Sequence, residues 1–450
     1  MTERVFRHRL ALITALGAAW RLGYLFVVKA GDGLMLNDSL YYSIQAGRNS
    51  EGQWFREGIT NLPGAEHGPL TALYLTPWSL GSGDAVVWQR FATTLLGIAT
   101  VAVIGLVGRR LAGPLVGLVA AGIAAVYPNL WINDSLVMSE SLACLIVSLA
   151  LLVALDFDRR PGLGRAAVLG VLVGLGALTR SEIALFGIGF AALAWWRSPG
   201  HRWRALMPVV VVGATLLTLA PWTIYNLGRF ERPVLLTTND GTTLLGANCD
   251  NAYFTDVGGW DVRCVLGADV GAADASLRSE AHRELAVDYI GDHAGRVPIV
   301  VLARLGRIAD VYGLDSLVTL DRGEEKAGWA VWAGIVSWWV LAPAAIVGWV
   351  VRGRARSPDD DRARARWWLA VPPITVLVAT VVFYGAHRIR APAEPVIVVL
   401  AATGAVALYQ RWSTRRRTPT VPPSLPDEER DDRRALAGGH ISTRTASFPP

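Results

Sequence analysis

A chain of 450 residues that is 52% hydrophobic and only 18% charged is too apolar to be a string of soluble domains, and its composition places it in the membrane class. The net charge of +6 does not indicate a nucleic-acid partner. Lys and Arg gather between apolar segments and in the C-terminal tail rather than along one soluble face, an arrangement suited to anionic membrane lipid.

The first residues, Met1 to Arg9, lead into an apolar run that contains Arg21 and lacks a small-residue cleavage site. This segment is expected to stay as an anchor. A bilayer core requires about 20 apolar residues per helix, which yields ten candidate spans at 10–28, 85–107, 111–127, 136–155, 166–179, 183–196, 205–225, 329–351, 367–385 and 395–409. The segments 166–179 and 183–196 are the shortest for the purpose. The basic clusters at Arg109 and Arg110, Arg159 to Arg165, Arg197 to Arg204, Arg352 to Arg366 and Arg411 to Arg417 all fall on one side if the N-terminus is cytoplasmic. The reading is an all-α polytopic protein of the plasma membrane with both termini cytoplasmic.

Three stretches then lie outside: a first loop at 30–84 with short helices, a tight turn near 128–135, and a larger loop at 226–328 before the last three spans. The apolar stretch 298–312 is interrupted at helical spacing by Arg304, Arg307 and Asp310, as expected of a helix lying in the interface rather than a span. Residues 1–225 read as an N-terminal transmembrane catalytic module, 329–410 as C-terminal spans, and 411–450, rich in Pro, Arg, Asp and Ser, as a disordered tail. In the larger loop Cys249 and Cys264 flank NAYFTDVGGWDVR. An oxidising outer compartment suits a disulfide between them; two buried free thiols are the alternative. No recognisable metal-ligand spacing is present.

Chemistry is sought on the outer side. Asp38 follows the first span and precedes a stretch with helical character, so it is either a helix N-cap or a general base for an acceptor hydroxyl. Asp134 has the same capping alternative at the start of the fourth span. Glu140 sits a turn or two deeper, where an ionisable side chain is costly and points to function, with an Arg of another helix as its structural partner. Together Asp134 and Glu140 form a second acidic site. Arg180, Arg388 and Arg390 lie outside, against the positive-inside trend, and their guanidinium forks suit a phosphate. Contact with lipid headgroups is the other reading. Arg21, inside the first span, is expected to pair with an acid on a neighbouring helix.

These features, in this order, resemble the GT-C superfamily of membrane glycosyltransferases, and within it the family 39-like enzymes related to protein O-mannosyltransferases and aminoarabinose transferases. Asp38 with Tyr41, Tyr42 and Ala46 follows the family's first-loop pattern, with Ser39 where the family has Glu. EHGPLTALYLTPW at 66–78 is similar to the His-Pro-Pro-Leu segment, with Gly68 in place of the first Pro. VMSESL, GLGALTR, PWTIYN and the terminal HRIRAPAEP extend the resemblance over about residues 10–405. It implies a sugar donor on a polyprenyl phosphate and a glycan, lipid or protein acceptor. Asp38 would act as base in an inverting transfer, Arg180, Arg388 and Arg390 would hold the donor phosphate, and Tyr41, Tyr42, Glu66 and His67 would line the substrate. A phosphate leaving group, with a second pKa of about 6, departs without a general acid if cations stabilise it. No cofactor is implied, a divalent ion between Asp38 and Asp134 being the disfavoured alternative. The competing class, a transporter or flippase, would place substrate groups near the midplane on broken helices in two related halves, and no such symmetry is visible.

Overall fold

The computed structural model describes residues 1–35, 38–58, 60–80, 85–268, 270–271, 273–354 and 361–417. The chain divides into a large unit, Met1–Ala407, and a C-terminal unit, Leu408–Pro450. The expected disorder of 411–450 is corrected in part, because the last helix runs on to Arg417; residues 418–450 lie outside the described set.

Among the described residues twenty α-helices follow one another: α1 Glu3–Tyr24, α2 Asp38–Ser50, α3 Pro69–Leu75, α4 Ala85–Ala112, α5 Pro114–Val126, α6 Pro128–Asp134, α7 Glu140–Arg159, α8 Leu163–Ala177, α9 Phe186–Trp196, α10 Leu206–Leu227, α11 Asp240–Ala247, α12 Val262–Leu266, α13 Ala275–Asp292, α14 Val297–Ile308, α15 Leu314–Gly323, α16 Gly328–Gly353, α17 Asp361–Arg364, α18 Val371–Val382, α19 His387–Arg390 and α20 Glu394–Arg417. Proline stands at the first turn of α3, α5, α6, α14 and α18, where its missing N–H has no helical partner to lose. The residue before a proline is pushed out of helical geometry. Tyr127 accordingly sits at φ −70° and ψ 116° between α5 and α6, and the two helices bend by 55°.

Seven helical stretches among the described residues are long and apolar enough to cross a bilayer, and α5 with α6 makes an eighth if the bent pair is one span. The expectation of ten is reduced at 166–179 and 183–196. There the helices are Leu163–Ala177 and Ser181–Trp196, and at 1.5 Å per residue about 15 residues reach only about 22 Å of a core about 30 Å thick. α4 packs along α5 and α7, α8 along α10 and α7, and α1 along α5. Their contact is a continuous apolar core that includes Ile104, Ala121, Val147, Leu151, Val173, Phe190 and Trp368.

Between α10 and α16 the chain forms a helical cap, in which α11 packs on α13 and Cys249 and Cys264 are joined by a disulfide, Sγ–Sγ 2.08 Å. α14 matches the stretch read as an interfacial helix, but its arginines do not snorkel outward: Arg304 and Arg307 are buried. Arg304 donates to the Val381 carbonyl at 2.9 Å and the Ala247 carbonyl at 2.7 Å. Arg307 donates to the Gly385 carbonyl at 2.9 Å and to Asp256 at 2.6 Å. The cap is thus fastened to the end of α18 by the side chains whose spacing had marked the stretch as interfacial.

Candidate active site

Asp38 is the first residue of α2. Two partners from distant parts of the chain hold its carboxylate. Arg388 of α19 donates to Oδ2, and His67 Nε2 stands 3.4 Å from Oδ1, a separation that is electrostatic contact rather than a short hydrogen bond. His67 is placed by the turn before α3. There Leu70 N donates to the Leu178 carbonyl at 3.0 Å, and a Cβ on Gly68 would lie 2.3 Å from that same oxygen, so the close approach demands glycine. The Tyr41 and Tyr42 rings flank His67 at 4.9 and 5.2 Å between centroids.

Burial opposes charge on Asp38, but Arg388 and His67 outweigh it and hold the carboxyl well below its ordinary value of 3.8. Burial likewise works against a charged His67, and the Asp38 carboxylate overrides it, raising His67 above its ordinary 6.5. The side chain of Asp38 nevertheless remains 23% exposed, the opening through which another molecule can reach it.

Arg388 is a hub. Besides Asp38 it meets Glu324 at 3.0 Å and Glu140 at 3.5 Å. Glu140, the first residue of α7, also takes Arg180 at 2.8 Å, and Arg180 in turn takes Glu182 at 2.6 Å. Burial alone would lower Arg180, yet these two carboxylates raise it above its ordinary value. The sequence expectation that Glu140 pairs with an arginine of another helix is therefore met by two arginines.

The remaining expected site residues are placed differently. Asp134 ends α6 and does not begin a helix. Its carboxylate accepts from Arg21 Nε at 2.7 Å and Ser141 Oγ at 2.7 Å, deep between α1, α4 and α7. A Cβ on Gly97 would stand 2.0 Å from that carboxyl, so α4 makes room for the pair. Arg390 is buried, bonded to Glu394 at 2.7 Å and Asp310 at 2.9 Å, with its guanidinium 3.9 Å from the Trp338 ring centre. Glu66 lies on the rim, its side chain 54% exposed and 3.9 Å from His67. No group of three or more His, Cys, Asp or Glu that could hold a metal occurs among the described residues.

The element that sequence reasoning passed over is the hexapeptide Asp321-Arg322-Gly323-Glu324-Glu325-Lys326, which runs from the last turn of α15 into the link to α16. Glu324 holds Arg388 and also Lys326 at 2.9 Å, and Lys326 reaches Asp321 at 2.7 Å. Burial disfavours charge on both Lys326 and Asp321. Mutual attraction wins, Lys326 being raised and Asp321 lowered, with His387 adding to the latter. His387 has a carboxylate at each ring nitrogen, Asp321 at 2.5 Å and Asp310 at 2.6 Å. Glu325, in a left-handed conformation at φ 67°, accepts from Met35 N at 3.0 Å and Arg90 at 2.8 Å. Arg90 also caps the Lys29 and Asp32 carbonyls at 2.6 and 2.7 Å. One short strap thus holds both the segment leading into Asp38, through Glu325, and the counter-ion of Asp38, through Glu324. The signal was available: five charges within six residues directly before an apolar span.

The comparisons agree with this architecture. Residues 67–225, about a third of the chain, match the family model described as dolichyl-phosphate-mannose-protein mannosyltransferase. That segment takes in His67, Glu140 and Arg180 and stops short of Asp38 and Arg388. No curated protein matches the sequence significantly. Among solved structures, the Archaeoglobus fulgidus oligosaccharyltransferase AglB in complex with an inhibitory peptide and a dolichol-phosphate is similar at 13% identity and TM-score 0.56, over 96% of this chain and 54% of that one. The same organism's oligosaccharyltransferase tethered to an acceptor peptide gives 12% identity and TM-score 0.57, over 93% and 51%. The chain therefore spans about half the length of these relatives, and at such identity the likeness establishes the fold. ArnT from Cupriavidus metallidurans bound to undecaprenyl phosphate aligns over 91% of this chain and 81% of its own at 15% identity and TM-score 0.41, too low a score to add to that. Over the aligned part the chain shares the helical fold of the archaeal oligosaccharyltransferase, and its residues 67–225 match the family model described as dolichyl-phosphate-mannose-protein mannosyltransferase.

Proposed function

We propose that this protein is a membrane glycosyltransferase that moves a sugar from a polyprenyl-phosphate donor to a hydroxyl of a glycan, lipid or protein acceptor at the outer face of the plasma membrane, with inversion. The observation that carries the reading is the convergence of Asp38, Glu140, Arg180, Glu324 and Arg388 from five separated stretches onto one end of the bundle. A scaffold has no need of a partly open carboxylate clamped between an arginine and a histidine.

In this mechanism the acceptor oxygen attacks the anomeric carbon as Asp38 takes its proton. The bond from that carbon to the phosphate oxygen breaks on the opposite side, and polyprenyl phosphate leaves with the bonding electrons. Arg388 and Arg180 stabilise the departing charge. Arg390 drops out of the phosphate set, because Glu394 and Asp310 occupy it, and Asp134 becomes a structural pin of the interior.

The clamp also supplies an order to the reaction. A carboxylate held by a guanidinium is a weak base. When a donor phosphate engages Arg388, it competes with Asp38 for the same N–H groups and raises the basicity of Asp38 at the moment the acceptor needs it. The test is transfer by purified Asp38→Asn protein, supported by envelope glycan analysis of a deletion strain complemented with it. Activity is expected to fall about 10³-fold, within the range of about 10²–10⁴ for general-base removal, while thermal unfolding is unchanged. A variant that restores the glycan in full removes Asp38 from the base role.

A further inference from the structure

The helices that build the site also end in a second polar feature at the opposite end of the bundle. α4 begins near the site with Arg90 and ends with Arg109 and Arg110; α7 begins with Glu140 and ends with Arg159; α1 begins at the far end with Glu3. Where these three termini meet there is an open cavity of about 350 Å³ lined by Glu3, Leu106, Arg109, Arg110, Leu152 and Arg159. Its volume is that of a small-ligand pocket, about 300–1,000 Å³.

The charge in it is unbalanced. Glu3 takes Arg109 and, at 2.8 Å, Arg7. Arg110 takes Asp156. Arg159 is exposed, has no carboxylate partner among the described residues, and uses one nitrogen on the Arg110 carbonyl. That bond is what a helix C-terminus asks of a basic residue, and it leaves the rest of the guanidinium facing the cavity. The floor is different in kind: Leu106 and Leu152 lie one to two turns further into the bundle. A cation rim above an apolar floor, at the end of three helices long enough to cross a bilayer, has the polarity profile of a lipid at the interface.

We infer that this cavity is a binding site for an anionic phospholipid, its phosphate on Arg159 and Arg110 and the first part of an acyl chain over Leu106 and Leu152. Guanidinium groups bind phosphate oxygens in pairs. The uncompensated Arg159 favours an anionic headgroup over a zwitterionic one, whose ammonium would add a second positive charge. The inference is independent of the transferase reading, since no residue of the cavity belongs to the site around Asp38.

The experiment is native mass spectrometry of the full chain in detergent, titrated with phosphatidylglycerol, with phosphatidylcholine and with inorganic phosphate. The expected result is one phosphatidylglycerol per chain bound in preference to phosphatidylcholine, and not displaced by millimolar-scale inorganic phosphate. Arg159→Gln is expected to weaken that binding about tenfold, whereas Arg202→Gln, an equal loss of charge outside the cavity, leaves it unchanged. Leu152→Trp, which fills the floor and keeps every charge, is expected to abolish it. Equal weakening by Arg159→Gln and Arg202→Gln, equal binding of the two lipids, displacement by inorganic phosphate, or undiminished binding by Leu152→Trp overturns the inference.

Discussion

The two ends of α4 and α7 treat arginine in opposite ways. At the site end, Arg90 and Arg180 are buried and bonded to the carboxylates of Glu325 and Glu140. At the far end, Arg109 and Arg110 are about a third exposed, against carboxylates that are themselves accessible. The difference teaches what each end is for. A buried guanidinium without a partner is strongly destabilising, so Arg90 and Arg180 are each held to an acid at a set distance, and the result is a rigid arrangement of charge. An exposed arginine has water as an alternative partner, and such an end can exchange one anion for another.

The comparison can be broken at several strengths. Glu325→Gln removes the buried partner of Arg90 and is expected to cost about 3–5 kcal/mol. It should also lower transfer activity, because the segment entering Asp38 loses its anchor; thermal unfolding in detergent beside a transfer assay measures both. If Glu325→Gln unfolds at the wild-type temperature, the rigid-strap description is wrong. Arg388→Gln leaves that scaffold in place and is expected to lower transfer about 10²–10³-fold. Arg388→Lys should recover only part of the loss, since a point charge cannot hold Asp38 and Glu324 as a planar fork does.

A smaller effect separates the two groups on Asp38 by pH. The His67 value in the folded protein lies above its unfolded one, so the attraction it supplies is complete below pH of about 6.5 and is lost as pH rises through the folded value. Asp38, whose folded value is depressed, stays ionised over the whole of that window. Loss of the His67 charge leaves Asp38 a stronger base, as release of Arg388 does, so the transfer rate should rise on the alkaline side by up to about tenfold. In His67→Gln that limb should vanish, and a rate profile unchanged by the substitution rules out His67 as its origin. The smallest effect belongs to the far end: Arg109→Gln is expected to change stability by about 0–1 kcal/mol, measured by the same unfolding assay. A loss comparable with Glu325→Gln would erase the distinction between the ends.

Much of the helical framework was readable because a span announces itself locally. Length and apolarity identify α4, α7, α10 and α16 without knowledge of their neighbours, and Pro114, Pro128 and Pro298 mark helix starts by their own covalent geometry. The count of spans was less readable. α8 and α9 are as apolar as their neighbours but too short, and whether a short helix crosses is decided by what surrounds it. In the site, Asp38, Glu140, Arg180 and Arg388 were singled out because charge beside an apolar segment is anomalous in any arrangement, and His67 only through the resemblance of the segment at 66–78 to its family counterpart.

What no local pattern contains is which anomaly meets which. Asp134 and Glu140 look alike in sequence, six residues apart and both acidic, yet one is sealed in the interior by Arg21 and the other faces Arg180 and Arg388. Arg388 and Arg390 differ by two positions on a short helix, which turns one toward Asp38 and the other toward Glu394. Composition and hydropathy by themselves determined that this is a membrane protein with unusual charges in and beside its apolar segments. Only the tertiary structure decided that the strap at 321–326 closes the arrangement, because ion pairs form between side chains hundreds of residues apart, and their partners are chosen by packing.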